Sequence, residues 1–132
     1  MGLFDFFGKE RLPASIFLLK TEIHPYTVSA HRNEYVDLEV FLQNTYDREM
    51  LSSIVITTPK GLGFDRSCIS QEREIRLGML KPGDSKNLKV QLWATQRTEK
   101  GAYTIHIHAI SHYQDYAHVL NEVAKTVEFR VS

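Results

Sequence analysis

One cysteine, Cys68, stands among 132 residues. No internal disulfide can form, so the fold does not depend on an oxidising compartment. Charge of neither sign is in excess, because sixteen Lys and Arg balance sixteen Asp and Glu. No cluster of basic residues offers the cationic footprint that grips a phosphate backbone, which excludes generic nucleic-acid binding. No apolar run approaches the roughly 20 residues of a membrane-spanning helix. There is no Asn-x-Ser/Thr acceptor. The opening residues, MGLFDFFGKERLP, have no basic leader, no long apolar core and no small-residue cleavage site, so they do not read as a secretory signal. Gly2 lacks the Ser or Thr at position 6 that a myristoylation motif wants, since Phe6 stands there. The expected location is cytoplasmic.

Catalytic signatures are lacking too. No G-x-S-x-G elbow occurs, and Gly61-Leu62-Gly63 has neither a third glycine nor a helical pattern behind it. Those glycines mark a loop. No cofactor is expected, and the chain does not read as an enzyme.

What remains is an ordinary globular composition, 42% apolar and 24% charged, in a chain of single-domain length. Its clearest signal is alternation. In residues 35–43, Val36, Leu38, Val40 and Leu42 take one side and Asp37 and Glu39 the other, the pattern of a half-buried strand. Leu88, Val90, Leu92 and Ala94 repeat it after the tight turn Pro82-Gly83-Asp84, and Tyr103, Ile105, Ile107 and Ala109 repeat it once more. Further strands are expected over residues 15–23, 51–58, 74–79 and 125–131, with a weak extended piece at 67–70. Residues 111–123 read as the longest connection, with a helical turn or two from Asp115. Seven or so short strands separated by turns predict an all-β, seven-stranded antiparallel Ig-like β-sandwich.

Two segments result: an N-terminal amphipathic segment, residues 1–13, and the sandwich domain, residues 14–132. In the first, Leu3, Phe4, Phe6 and Phe7 fall on one broad face of a short helix that Pro13 stops. So short a helix needs something to pack against. Its own domain, a second subunit and a membrane surface reached through residues 2–8 are the three alternatives.

Residues 77–109 carry a recognisable pattern. Leu77-Gly78-Met79-Leu80-Lys81-Pro82-Gly83-Asp84-Ser85 precedes a strand, and Gly101-Ala102-Tyr103-Thr104-Ile105 opens the next. Together with Asn44 after Val40-Phe41-Leu42, this resembles the CARDB-type and related Ig-like domains of bacteria and archaea. The resemblance implies an Ig-like sandwich with a non-catalytic adhesion or accessory role. Tyr103 also fits a tyrosine corner.

Three constellations are candidate sites. His106 and His108, two apart on a strand, share a face and with His112 and His118 are candidate metal ligands, though surface histidines are the simpler reading. An Ig-like order gathers the loops at 43–50, 81–85 and 111–123, bringing Tyr46, Asp47, Arg48, His112, Tyr113, Tyr116 and His118 to one end, and Tyr and Arg commonly anchor protein interfaces. Phe41 and Trp93 fall on the outward parity of neighbouring strands, with Phe17 and Leu19 as companions, and an outward apolar patch of this kind marks a contact. Residues 2–8, through Phe4 and Phe7, are one candidate cover for it. The function expected is that of a non-catalytic interaction module for a protein partner or for self-association. A peripheral membrane adaptor is the first alternative, and a metal-dependent enzyme using the histidines the second.

Overall fold

The computed structural model describes residues 16–25 and 27–132. Nine strands and no helix occur among them: β1 Phe17–His24, β2 Thr27–Val28, β3 Glu34–Asn44, β4 Met50–Thr57, β5 Leu62–Gly63, β6 Glu72–Leu80, β7 Ser85–Ala94, β8 Gly101–His112 and β9 Val119–Val131. Seven are eight residues or longer, and two two-residue pieces bring the expected seven to nine. The expected N-terminal helix, including Phe4 and Phe7, lies outside the described residues.

Two sheets form, β2-β9-β8-β4-β6 and β1-β3-β7-β5. The pairing departs from purely antiparallel at one place, where Thr27 and Val28 run parallel to Arg130 and Val131 of β9. Alternation in the long strands dictates which side faces in. Val36, Leu38, Val40 and Leu42 of β3 and Val90, Leu92 and Ala94 of β7 meet Ile54 and Ile56 of β4, Ile105, Ile107 and Ala109 of β8, and Phe129 and Val131 of β9 in one buried cluster. Each of the larger side chains contributes about 1.5–3 kcal/mol by leaving water.

Three local expectations are corrected. β1 turns Phe17, Leu19 and Ile23 inward and Leu18 outward, so Phe17 and Leu19 belong to the core and not to an outer patch. Three consecutive apolar residues conceal that parity, and pairing with β3 settles it: Leu19 opposes Leu42 and Ile23 opposes Leu38. The connection expected over 111–123 shrinks to residues 113–118, because β8 continues to His112 and β9 begins at Val119. The piece expected at 67–70 is not a strand. Residues 62–63 form one instead, pairing with Ala94 and Trp93.

That short strand explains a glycine. A strap at residues 65–68, closed by the Cys68 N–H on the Asp65 carbonyl (3.1 Å), lies directly on β5. A Cβ at Gly63 would stand 2.4 Å from the Cys68 Cα. The obstruction is backbone, so it cannot rotate away. Gly63→Ala is therefore expected to destabilise the fold by about 1–3 kcal/mol, as overpacking does. Urea unfolding measures this, and an unchanged midpoint would refute the close packing of the strap on β5.

Candidate functional site

The three loops expected to converge do so, and one residue draws two of them together. Asn44, fully buried at the end of β3, donates through Nδ2 to the Arg48 carbonyl (2.8 Å) and the Leu80 carbonyl (2.8 Å). Its Oδ1 accepts the Tyr46 N–H (2.8 Å). Its backbone exchanges bonds with the β6–β7 turn, Asn44 N–H to Asp84 O and Gly83 N–H to Asn44 O, both 2.9 Å. Within the turn, the Asp84 carboxylate accepts the Lys81 N–H (3.0 Å). Tyr46 is half-buried against the core, and Arg48 stays in solvent with its side chain 4.0 Å from Asp47.

The third loop, residues 113–118, folds over the outer face of the five-stranded sheet. It is closed by the Tyr113 N–H on the His118 carbonyl (2.8 Å), and the Asp115 carboxylate accepts the Ala117 N–H (3.0 Å) and meets the His118 ring at 2.7 Å. That His118 contact, first, and the Ala117 bond, second, hold the Asp115 carboxyl below the ordinary range. Tyr116 reaches back to the edge strand. Its hydroxyl accepts the Gly78 N–H (2.9 Å) where β6 bulges, and its ring lies between the Arg76 guanidinium (4.6 Å) and the His112 ring (5.0 Å). Tyr113 projects freely instead, 59% exposed.

Strand register places a further set of side chains beside this loop. Met79, Leu51, His112 and Val119 stand in one row across four strands. Met79 is 55% exposed and Val119 60%, and Leu120, at the β9 register shift, is 53% exposed. Sequence reasoning missed these three. Nothing in the local sequence sets Met79 beside Val119, and only the register puts the two in one row.

The four histidines do not converge. His106 and His108 stack side by side on β8, ring centroids 6.5 Å apart, and His108 pairs with Glu122. His118 is tied to Asp115 within the loop. His112 is buried, with Nε2 2.7 Å from the Ser53 hydroxyl, itself buried, while its Nδ1 has no partner among the described residues. No group of three or more His, Cys, Asp or Glu placed to hold a metal ion occurs among the described residues. The Ser53–His112 pair has the reach of a nucleophile and base, but a catalytic imidazole is oriented by an acceptor on its other nitrogen. Here that nitrogen meets no acceptor among the described residues, and Tyr116 packs on the ring. Burial, and secondarily Asp65, pushes the Cys68 thiol up, away from the thiolate that does chemistry.

Phe41 and Trp93 share the outer face of the four-stranded sheet but not a patch. Phe41 opposes Asn87, whereas Trp93 opposes Tyr35. The pairs Asp37–Gln91 and Glu39–Lys89 stand between them. Trp93 is half-buried against Tyr35 (centroids 4.8 Å), with the Arg66 guanidinium 5.9 Å from its ring. Phe41 lines a shallow groove of about 430 Å³ with Lys20, Glu22, Glu39 and Asn87. At the end of the sandwich away from the converging loops, the Tyr103 hydroxyl donates to the Glu99 carbonyl (2.6 Å), the tie expected of a tyrosine corner.

No known family profile and no curated protein matches this sequence. Solved structures do match. The chain is similar to a Salmonella alpha-2-macroglobulin (TM-score 0.63, 16% identity, 89% of this chain but 7% of that one). It is similar to an Escherichia coli alpha-2-macroglobulin fragment (0.64, 14%, 91% and 17%) and to a FixG-related protein from Vibrio parahaemolyticus (0.57, 10%, 89% and 97%). At these identities the likeness is one of fold. The protein is an Ig-like β-sandwich, which is the part of the CARDB-type resemblance that stands.

Two outcomes follow from the loop geometry. Asn44→Ala strands the Arg48 and Leu80 carbonyls together with the Tyr46 N–H, and is expected to cost about 3 kcal/mol in denaturant unfolding; a loss under about 1 kcal/mol would contradict its role. Because its folded pKa is depressed, Asp115 adds stability above its unfolded value and loses it as pH falls through the folded one. In an NMR titration Asp115 should ionise below the ordinary aspartate range, and His118→Ala should raise its midpoint. An unmoved midpoint would refute the pairing.

Proposed function

We propose that this domain is a non-catalytic Ig-like interaction module of CARDB type that binds a protein partner with its loop end. The observation that carries this reading is the group of exposed apolar side chains Met79, Tyr113, Val119 and Leu120 at one end of the sandwich. Contiguous exposed apolar surface marks contact sites, and aromatic and Met side chains are enriched in them. Tyr46 and Arg48 stand on the loop joined to β6 through Asn44 and form the polar rim of the same end.

Tyr116, by contrast, acts from within. With its hydroxyl on Gly78 and its ring between Arg76 and His112, it stiffens the loop that presents Tyr113, which lowers the ordering cost of binding. Phe41 and Trp93 fall outside this site, Trp93 being engaged by Tyr35 and Arg66. The adhesion or accessory role implied by the sequence pattern of residues 77–109 fits a surface of this kind.

A comparison of co-purifying proteins from native cells tests the reading. Wild type should retain a defined partner that Met79→Glu combined with Val119→Glu loses, with thermal melting of the variant unchanged. Equal recovery by both proteins would overturn it.

A further inference from the structure

β6, Glu72–Leu80, closes the five-stranded sheet and has no strand on its other side among the described residues. Its phase against β4 is set by the Thr58 N–H on the Gln71 carbonyl (2.8 Å). In an antiparallel ladder the backbone groups point alternately toward and away from the partner, so Gln71, Arg73 and Ile75 turn to β4 and Glu72, Glu74 and Arg76 turn outward. Side chains of the protein close both ends of that open row. The Ser70 hydroxyl donates to the Glu72 carbonyl (3.0 Å), and the Tyr116 hydroxyl accepts the Gly78 N–H (2.9 Å) at the bulge. Between them the outward backbone groups of Glu74 and Arg76 have no such cover among the described residues.

Exposed edges are ordinarily guarded by charges, which repel an approaching strand when they are of one sign. The charges here have opposite signs at a spacing of two, with side chains on the solvent face, Glu74 43% and Arg76 60% exposed and their heads 3.5 Å apart. An antiparallel copy whose two-fold axis passes through Ile75 sets Glu74 against Arg76 and Arg76 against Glu74. Ile75 then faces Ile75, and no like charges are opposed. With the axis through Glu74, two carboxylates would face each other, so the sequence selects the first register.

We infer that β6 is a self-complementary edge through which two copies of this chain pair, joining their five-stranded sheets into one across a two-fold axis. The pairing is isologous, as a two-fold contact requires. About four backbone hydrogen bonds and two cross-strand ion pairs would form. The bulge at Gly78 stops the ladder from lengthening, so the contact is small and the dimer weak, with a Kd on the order of tens of micromolar. The surface differs from the loop-end site and does not depend on it.

Sedimentation of the full chain from about 1 to 200 μM, a range spanning such a Kd, provides the test. Wild type should shift from monomer to dimer within it. Glu74→Arg and Arg76→Glu, each of which opposes like charges across the axis, should each weaken dimerisation at least about tenfold. Mixed in equal amounts, the two variants should recover wild-type association as a heterodimer, because Arg then meets Glu at both positions. Recovery on mixing also shows that both variants are folded, which matters because Arg76 stacks on Tyr116. A wild-type chain that stays monomeric throughout, a dimer indifferent to either reversal, or variants that fail to associate when mixed would each overturn the inference.

Discussion

A buried amide with no water to turn to must find its partners in the protein, and Asn44 finds its own at the point where two loops need a common anchor. It sits at the last position of β3, where inward parity carries a polar side chain into the interior. Its bonds to Arg48, Leu80 and Tyr46 satisfy both ends of the amide and hold the 45–49 loop against the end of β6. The β6–β7 turn is bound through the same residue's backbone. Most of what distinguishes this end of the sandwich follows. Met79 is presented by the strand whose end Asn44 fixes, and Gly78, one residue earlier, is the point to which Tyr116 ties the third loop.

The consequence is a domain whose two ends differ in kind. The loop end combines a rigid hydrogen-bonded base with apolar side chains left in solvent. The opposite end is cross-tied by its own loops, with Ile69 left 81% exposed beside the strap. Thr98 donates to the Gly61 carbonyl, Tyr103 to Glu99, and Ser132 ties to Val28 and Ala30.

Much of the fold was legible in the sequence, and the physics says which parts. Where one sheet face is wet and the other buried, period two is written plainly, as in β3, β7 and β8. It fails at β1, because Phe17-Leu18-Leu19 offers no polar residue to mark the outside. It fails again over 111–123, where Ser111 and His112 resemble loop residues until the Ser53 contact shows how a strand buries them. Convergence of the loops was legible from topology. The role of each tyrosine was not: Tyr113 and Tyr116 look alike in sequence, yet one is spent inside the domain and the other left outside. The apolar row through Met79 and Val119 is a property of register, which local pattern does not encode.

The lone indole has a consequence of a different sort. Trp93 is the one tryptophan in the chain, and it lies on the strap side, tilted against Tyr35, with the Cys68 thiol 3.3 Å from its carbonyl. Its emission is thus a local gauge, sensitive to the strap lifting from β5 and to the loss of β7, and deaf to events among the loops around Asn44. A ligand could settle on that far end while the fluorescence stayed constant.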